Sequence, residues 1–124
     1  MSQSRYDNAV ARYFEAWNAT DAIARAKAVA QAWSEDGTYT DPLADVRGHA
    51  HVAAVMAGAH EQFPGFEFRQ TGAADGHHDT VRFSWELVSL ADGSAPVAGS
   101  DVVTLAEDGR IRTVLGFLDR VPTA

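Results

Sequence analysis

The sequence predicts an α+β domain, with three amphipathic helices followed by a curved, mainly antiparallel sheet. Two observations carry this. Up to Phe63 apolar residues recur at the 3.6-residue period of a helix, and from Phe66 onward the period is two. The pairs Asp92-Gly93 and Asp108-Gly109 then punctuate the alternating runs as hairpin turns. Helices first and strands afterwards place the helices on one face of the sheet. At 124 residues the chain is read as one domain, residues 1–124.

The first helix is expected from about Arg5 to Asn18, with Ser4 as its N-cap and Asp7 completing an imperfect capping box. Tyr6, Ala9, Val10, Tyr13, Phe14 and Trp17 share one face. Tyr13 differs from the other rings because a buried phenol must find a hydrogen-bond partner. Thr20 is placed as the cap of a second helix, with Asp21 facing its positive dipole end. The apolar side of that helix is read as Ile23, Ala26, Val29, Ala30 and Trp33. Gly37 fits the left-handed residue that closes a helix. Thr38 to Thr40 reads as a short strand, and Pro42 biases Asp41 toward extended backbone and stops it. Asp41 shares its phase with Tyr39, so it points wherever Tyr39 points. Two readings stand here: an inward carboxylate, or one that caps the turn and faces water.

Leu43 to Arg47 reads as loop. Gly48 opens a third helix whose apolar face is Val52, Val55, Met56, Ala59 and Phe63, ended by Pro64-Gly65. Four strands follow as an antiparallel meander. Phe66 and Phe68 mark the first and Val81, Phe83, Trp85 and Leu87 the second. Val97, Gly99, Asp101, Val103 and Leu105 mark the third, and Ile111, Thr113, Leu115 and Phe117 the fourth. Asp75 to Asp79 reads as a polar turn. The element order is therefore α-α-β-α-β-β-β-β.

Composition excludes several classes. There is no cysteine, hence no disulfide, thiol nucleophile or thiolate metal site. A net charge of −7 argues against nucleic-acid binding, which needs a basic face. No apolar run marks a signal peptide or a membrane span, so a cytoplasmic location is expected. His49 and His51 do not share a helix face, and His77 and His78 fall in the polar turn. No metal or other cofactor is expected.

Asp101 is the residue most charged with chemistry. Its phase partners Val97, Val103 and Leu105 face the core or a cavity, where burial would raise its pKa. The alternative is a bulge near Gly99 that turns Asp101 outward.

The segments Tyr13 to Asn18 with Asp21, Trp33 to Pro42, Gly48, Asp101 to Leu105 and Asp108 to Ile111 resemble the nuclear transport factor 2-like superfamily. Within it they resemble the SnoaL-like and ketosteroid-isomerase-like branch, over nearly the whole chain. The resemblance implies a cone-shaped sheet closed by helices around a pocket, in a homodimer formed through the outer sheet face. Val88, Val102, Val114 and Leu118 are assigned to that face.

Three residues are similar to the working groups of ketosteroid isomerases. Asp41 corresponds to the general base, and Tyr13 and a protonated Asp101 to the oxyanion hole. The expected substrate-binding residues are Phe14, Trp17, Trp33, Met56, His60, Phe83, Trp85 and Phe117. Trp33 and Met56 occupy positions where those isomerases carry supporting tyrosines. SnoaL-like cyclases pair the Asp101 position with a pocket histidine, for which His60 is the candidate. Arg69, Arg82 and Arg112 lie on the outward phase, away from any Asp-Arg-Asp grouping of the epoxide-hydrolase kind.

The resemblance thus implies a cofactor-independent acid–base enzyme acting on a small apolar carbonyl compound. The alternative is a non-catalytic ligand-binding or dimerisation module. A small hydrophobic molecule and a second copy of the chain are the expected partners.

Overall fold

The structure, a computed structural model, describes residues 2–122. In chain order it contains α1 (Ser2–Asn18), α2 (Ala22–Ala32), β1 (Thr38–Asp41), β2 (Ala44–Arg47) and α3 (His49–Gln62). Then come β3 (Phe66–His77), β4 (Thr80–Ser89), β5 (Val97–Leu105) and β6 (Ile111–Arg120). The six strands form one sheet in the order β2-β1-β6-β5-β4-β3. Every pairing is antiparallel except the short parallel contact of β1 with β6 at Thr40 and Leu115. The three helices pack on one face, as the change of period predicts.

Local chemistry moves several boundaries. Ser4 lies inside α1 rather than before it. Asp21, not Thr20, caps α2, its carboxylate accepting from the Ile23 and Ala24 amides at 2.9 and 3.1 Å. The buried face of α2 is Arg25, Ala28, Val29 and Ala32, while Ile23 is 84% exposed. Alanine carries almost no hydropathy contrast, so an Ala-rich helix does not announce its inner face.

Gly37 does not take up a positive φ. It is held by space instead: a Cβ there would lie 2.7 Å from the Trp33 ring. The stretch expected to be loop contains β2, which pairs with β1 from Thr38–Arg47 to Asp41–Ala44. β3 extends through His77 into the expected polar turn, leaving His78 and Asp79 as the connection. A bulge between Thr71 and Asp75 bends β3 so that its far end reaches α1.

The core lies between the helices and the concave face of the sheet. On β4 the inward residues are Val81, Phe83, Trp85 and Leu87, and on β5 they are Val97, Gly99, Asp101, Val103 and Leu105. Both agree with the alternation.

β6 does not. Leu105 pairs with Ile111, but Thr104 pairs with Thr113, so one residue is extra on β6 and the phase inverts. Val114 is fully buried and Leu118 half-buried, although the plain alternation puts both on the outer face. Leu115 and Phe117 stand outside, 49% and 60% exposed. Val88 keeps its outward phase but is buried.

Gly99 sits directly beneath the Trp85 indole, and a Cβ there would overlap that ring. Gly99→Ala should therefore destabilise the protein by roughly 1–3 kcal/mol, the cost of overpacking a filled core. An unchanged denaturation midpoint in urea would contradict this packing argument.

A candidate active site built on two tyrosine–aspartate pairs

A cavity of about 520 Å³ opens between α3, the sheet and the β1–β2 turn. Tyr13, Trp17, Tyr39, Asp41, Phe63, Phe68, Trp85, Leu87, Val97 and Leu118 line it, with Leu43, Val121 and Pro122 around the mouth. A mostly apolar wall with a few polar groups is the ordinary composition of a small-molecule site.

Each polar group arrives by a local rule. Tyr13 lies on the inner stripe of α1, and its ring is locked by Phe83 at 4.9 Å, Phe14 at 5.3 Å and Trp33 at 5.5 Å. Its hydroxyl donates to Asp101 Oδ2 at 2.6 Å. The Trp85 indole N–H donates to the same oxygen at 3.1 Å. Asp101 is 2% exposed and sits behind Tyr13 rather than on the cavity wall.

Tyr39 and Asp41 project from β1 in the same phase, and the Tyr39 hydroxyl donates to Asp41 Oδ2 at 2.6 Å. Asp41 Oδ1 accepts from the Leu43 and Ala44 amides at 2.8 and 2.9 Å. Both readings of Asp41 therefore hold together, since one oxygen makes the turn and the other faces inward. Gly116 lies between the two carboxylates. A Cβ there would stand 2.6 Å from Asp101 Oδ1 and 3.3 Å from the Asp41 Cβ.

Burial pushes the Asp101 carboxyl up to about 6. The hydrogen bonds from Tyr13 and Trp85 oppose that rise, and the charges of Asp41 and Asp119 reinforce it. Burial also raises both phenols far above their usual value, helped by Asp101 for Tyr13 and by Asp41 for Tyr39. Neither tyrosine ionises near neutrality, so both serve as hydrogen-bond donors and not as bases.

Of the residues expected around the ligand, Trp17 and Trp85 line the cavity. Trp33 and Met56 are fully buried in the core instead. Phe14 and Phe83 buttress Tyr13, and Phe83 faces a different cleft. The His60 ring nitrogen lies 2.6 Å from the Trp17 carbonyl, where its N–H tethers the end of α1. Phe117 is outside, because of the β6 bulge.

Sequence reasoning missed Asn18, whose side-chain amide makes two bonds to the Phe68 backbone, at 2.8 and 2.9 Å. That clamp fixes the end of α1 that carries Trp17. An Asn at a predicted helix end was the available signal. Among the described residues no group of three or more His, Asp or Glu is placed to hold a metal ion. No described helix is long and apolar enough to cross a membrane.

The chain resembles known proteins over most of its length. A family model described as a SnoaL-like domain matches residues 10–114. A candidate isomerase of the SnoaL-like family from Agrobacterium tumefaciens strain C58 is 41% identical, over 94% of this chain and 98% of its own, with a TM-score of 0.88. A candidate SnoaL-like polyketide cyclase from Jannaschia sp. CCS1 is 21% identical over 94% of this chain and 87% of its own, with a TM-score of 0.76. A protein of unknown function with a cystatin-like fold from Methylobium petroleophilum PM1 is 16% identical, over all of this chain and 81% of its own, with a TM-score of 0.74. The last two likenesses are of fold alone. No curated protein matches the chain.

The raised Asp101 pKa has a consequence for stability. Below the unfolded value of 3.8 both states hold the proton and the stabilisation is complete. As pH rises toward about 6 the unfolded chain releases the proton first, and stability falls. Asp101→Asn removes this titration. Its stability relative to the parent should therefore improve between pH 4 and 7, by at most about 3 kcal/mol. A pH-independent difference in urea denaturation would refute the assignment.

Proposed function

The chain belongs to the SnoaL-like family, and from that premise we propose an acid–base enzyme, cofactor-independent, that acts on a small apolar carbonyl compound through an enolate. The observation that carries this reading is the buried Tyr13–Asp101 bond at a cavity whose wall also holds Tyr39 and Asp41. Asp41 takes a proton from the carbon next to the carbonyl, and the electron pair moves onto the carbonyl oxygen. Tyr13 donates to that oxygen as it gains charge. Asp101 acts through Tyr13. In its neutral form it turns its own proton to the Tyr13 oxygen, and the Tyr13 proton is then free for the substrate.

The enolate has two productive fates. Returning the proton to a different carbon is an isomerisation, and attack of the nucleophilic carbon on a second carbonyl is an aldol cyclisation. The Agrobacterium relative is described as an isomerase and the Jannaschia protein as a polyketide cyclase.

One observation favours a non-catalytic ligand-binding module instead. Asp41 already accepts three hydrogen bonds, so both of its oxygens are occupied by the turn and by Tyr39. Catalysis requires Tyr39 to release Oδ2, since Oδ1 is committed to the turn.

Hydrogen–deuterium exchange at the acidic carbon of bound β-tetralone, followed by NMR, separates the two. The parent protein should accelerate exchange, and Asp41→Asn and Tyr13→Phe should each slow it by roughly a hundredfold or more. Exchange no faster than in buffer, with β-tetralone still bound, would establish the module.

We also propose a homodimer through the convex face of the sheet. Leu115 and Phe117 supply its exposed apolar surface, flanked by Val102. Sedimentation at micromolar concentration should give twice the chain mass, and Phe117→Glu should give the monomer. A parent protein that sediments as a monomer would reject this interface.

A further inference from the structure

Of the ten glycines, five take a positive φ and four lie where an added Cβ would strike a neighbouring group. Gly58 is the tenth and has neither reason. It lies inside α3 without a positive φ. Among the described residues, no atom beyond its own stretch of helix comes within 4 Å of the Cβ it lacks. A glycine inside a helix costs stability relative to alanine, because it loses the most backbone freedom on folding. No contact within the described residues accounts for that cost, which points to an occupant from outside the chain.

The missing side chain would point into the cavity. Ala54 and Gln62 both line it, and Gly58 lies between them on the helix surface, about 40° around the axis from each. Val55 and Ala59 line the same side. Across the gap stand Phe68, Trp85, Leu87, Val97 and Leu118 of the sheet. The cavity is thus a slot between a helix and a sheet, and residue 58 sets its width on the helix side. Tyr13, which is buried, marks the closed end, and Gly58, which is exposed, lies toward the open one.

We propose that Gly58 is a specificity-determining residue: the bare backbone of α3 takes the face of a flat, apolar ring beyond the one that carries the reacting oxygen, so the cavity selects fused-ring over single-ring ligands. This deepens the proposed function and rests on the cavity being its ligand site. A ring at Gly58 approaches the helix more closely than a side chain would allow. It buries apolar surface on both faces, against α3 on one side and the sheet on the other. A methyl group at residue 58 would hold it off.

The probes are phenol, one ring bearing an oxygen, and 2-phenanthrol, three fused rings bearing the same group. In protein labelled with ¹⁵N-glycine, the Gly58 amide is assigned by its loss in Gly58→Ala. 2-Phenanthrol should shift that resonance through its ring current, and phenol should not. Gly58→Ala should raise the urea denaturation midpoint. It should also weaken 2-phenanthrol binding about tenfold or more and leave phenol binding within about twofold. The opposite signs exclude poor folding, since the variant that binds the larger probe less well is the more stable protein.

A Gly58 amide that stays in place with 2-phenanthrol bound overturns the proposal. So does a Gly58→Ala variant that keeps the parent affinity for 2-phenanthrol, or that loses both probes equally. A lowered urea midpoint also overturns it, because the space would then be filled within the protein itself. Tyr13→Phe separates this failure from that of the proposed function. If phenol binding weakens in Tyr13→Phe while Gly58→Ala changes nothing, only the role of Gly58 is lost. If neither probe binds the parent protein, both are lost.

Discussion

The bond from Tyr13 on α1 to Asp101 on β5 joins residues 88 apart in the chain, and the rest of the interior is arranged around it. A carboxylate at 2% exposure is tolerable only when its oxygens are matched. Here two donors converge on Oδ2, one from a helix and one from the neighbouring strand β4. Replacing either donor would leave charge facing hydrocarbon. The bond therefore fixes the height of α1 over the sheet as well as the chemistry at its end.

Glycines on the inner face make room for that arrangement. Gly99 leaves space for the Trp85 indole, which then reaches Asp101. Gly116 leaves space between Asp101 and Asp41. A Cβ at Gly116 would crowd Asp101 Oδ1 and the Asp41 Cβ, so the glycine lets the two side chains approach, and the Asp41 charge adds to the burial that raises the Asp101 carboxyl. α3 contributes differently. Its Val52 and Met56 fill the core, while Val55, Gly58 and Ala59 form a low wall that leaves the cavity open.

The fold class was legible in the residues alone, because burial imposes its period on every long element. The helices announced themselves through Tyr6, Val10, Tyr13 and Trp17, and the central strands through Val81, Phe83, Trp85 and Leu87. Asp101 was legible as an inward carboxylate for the same reason: a strand cannot turn one residue out without turning its neighbours. Asp41 was legible as far as its phase with Tyr39.

The remaining features lie where local signals are silent or where one residue breaks the period. The extra residue at the start of β6 inverted the faces of Val114, Leu115, Phe117 and Leu118, and no side chain in that run marks it. β2 is four residues long and exists because β1 offers an edge to pair with. The buried face of α2 was hidden because alanines look alike on every side. The walls of the cavity depend on atoms from α1, α3, β1 and β3 meeting in space. The volume they enclose is a property of three-dimensional packing, so no pattern along the chain could have marked it.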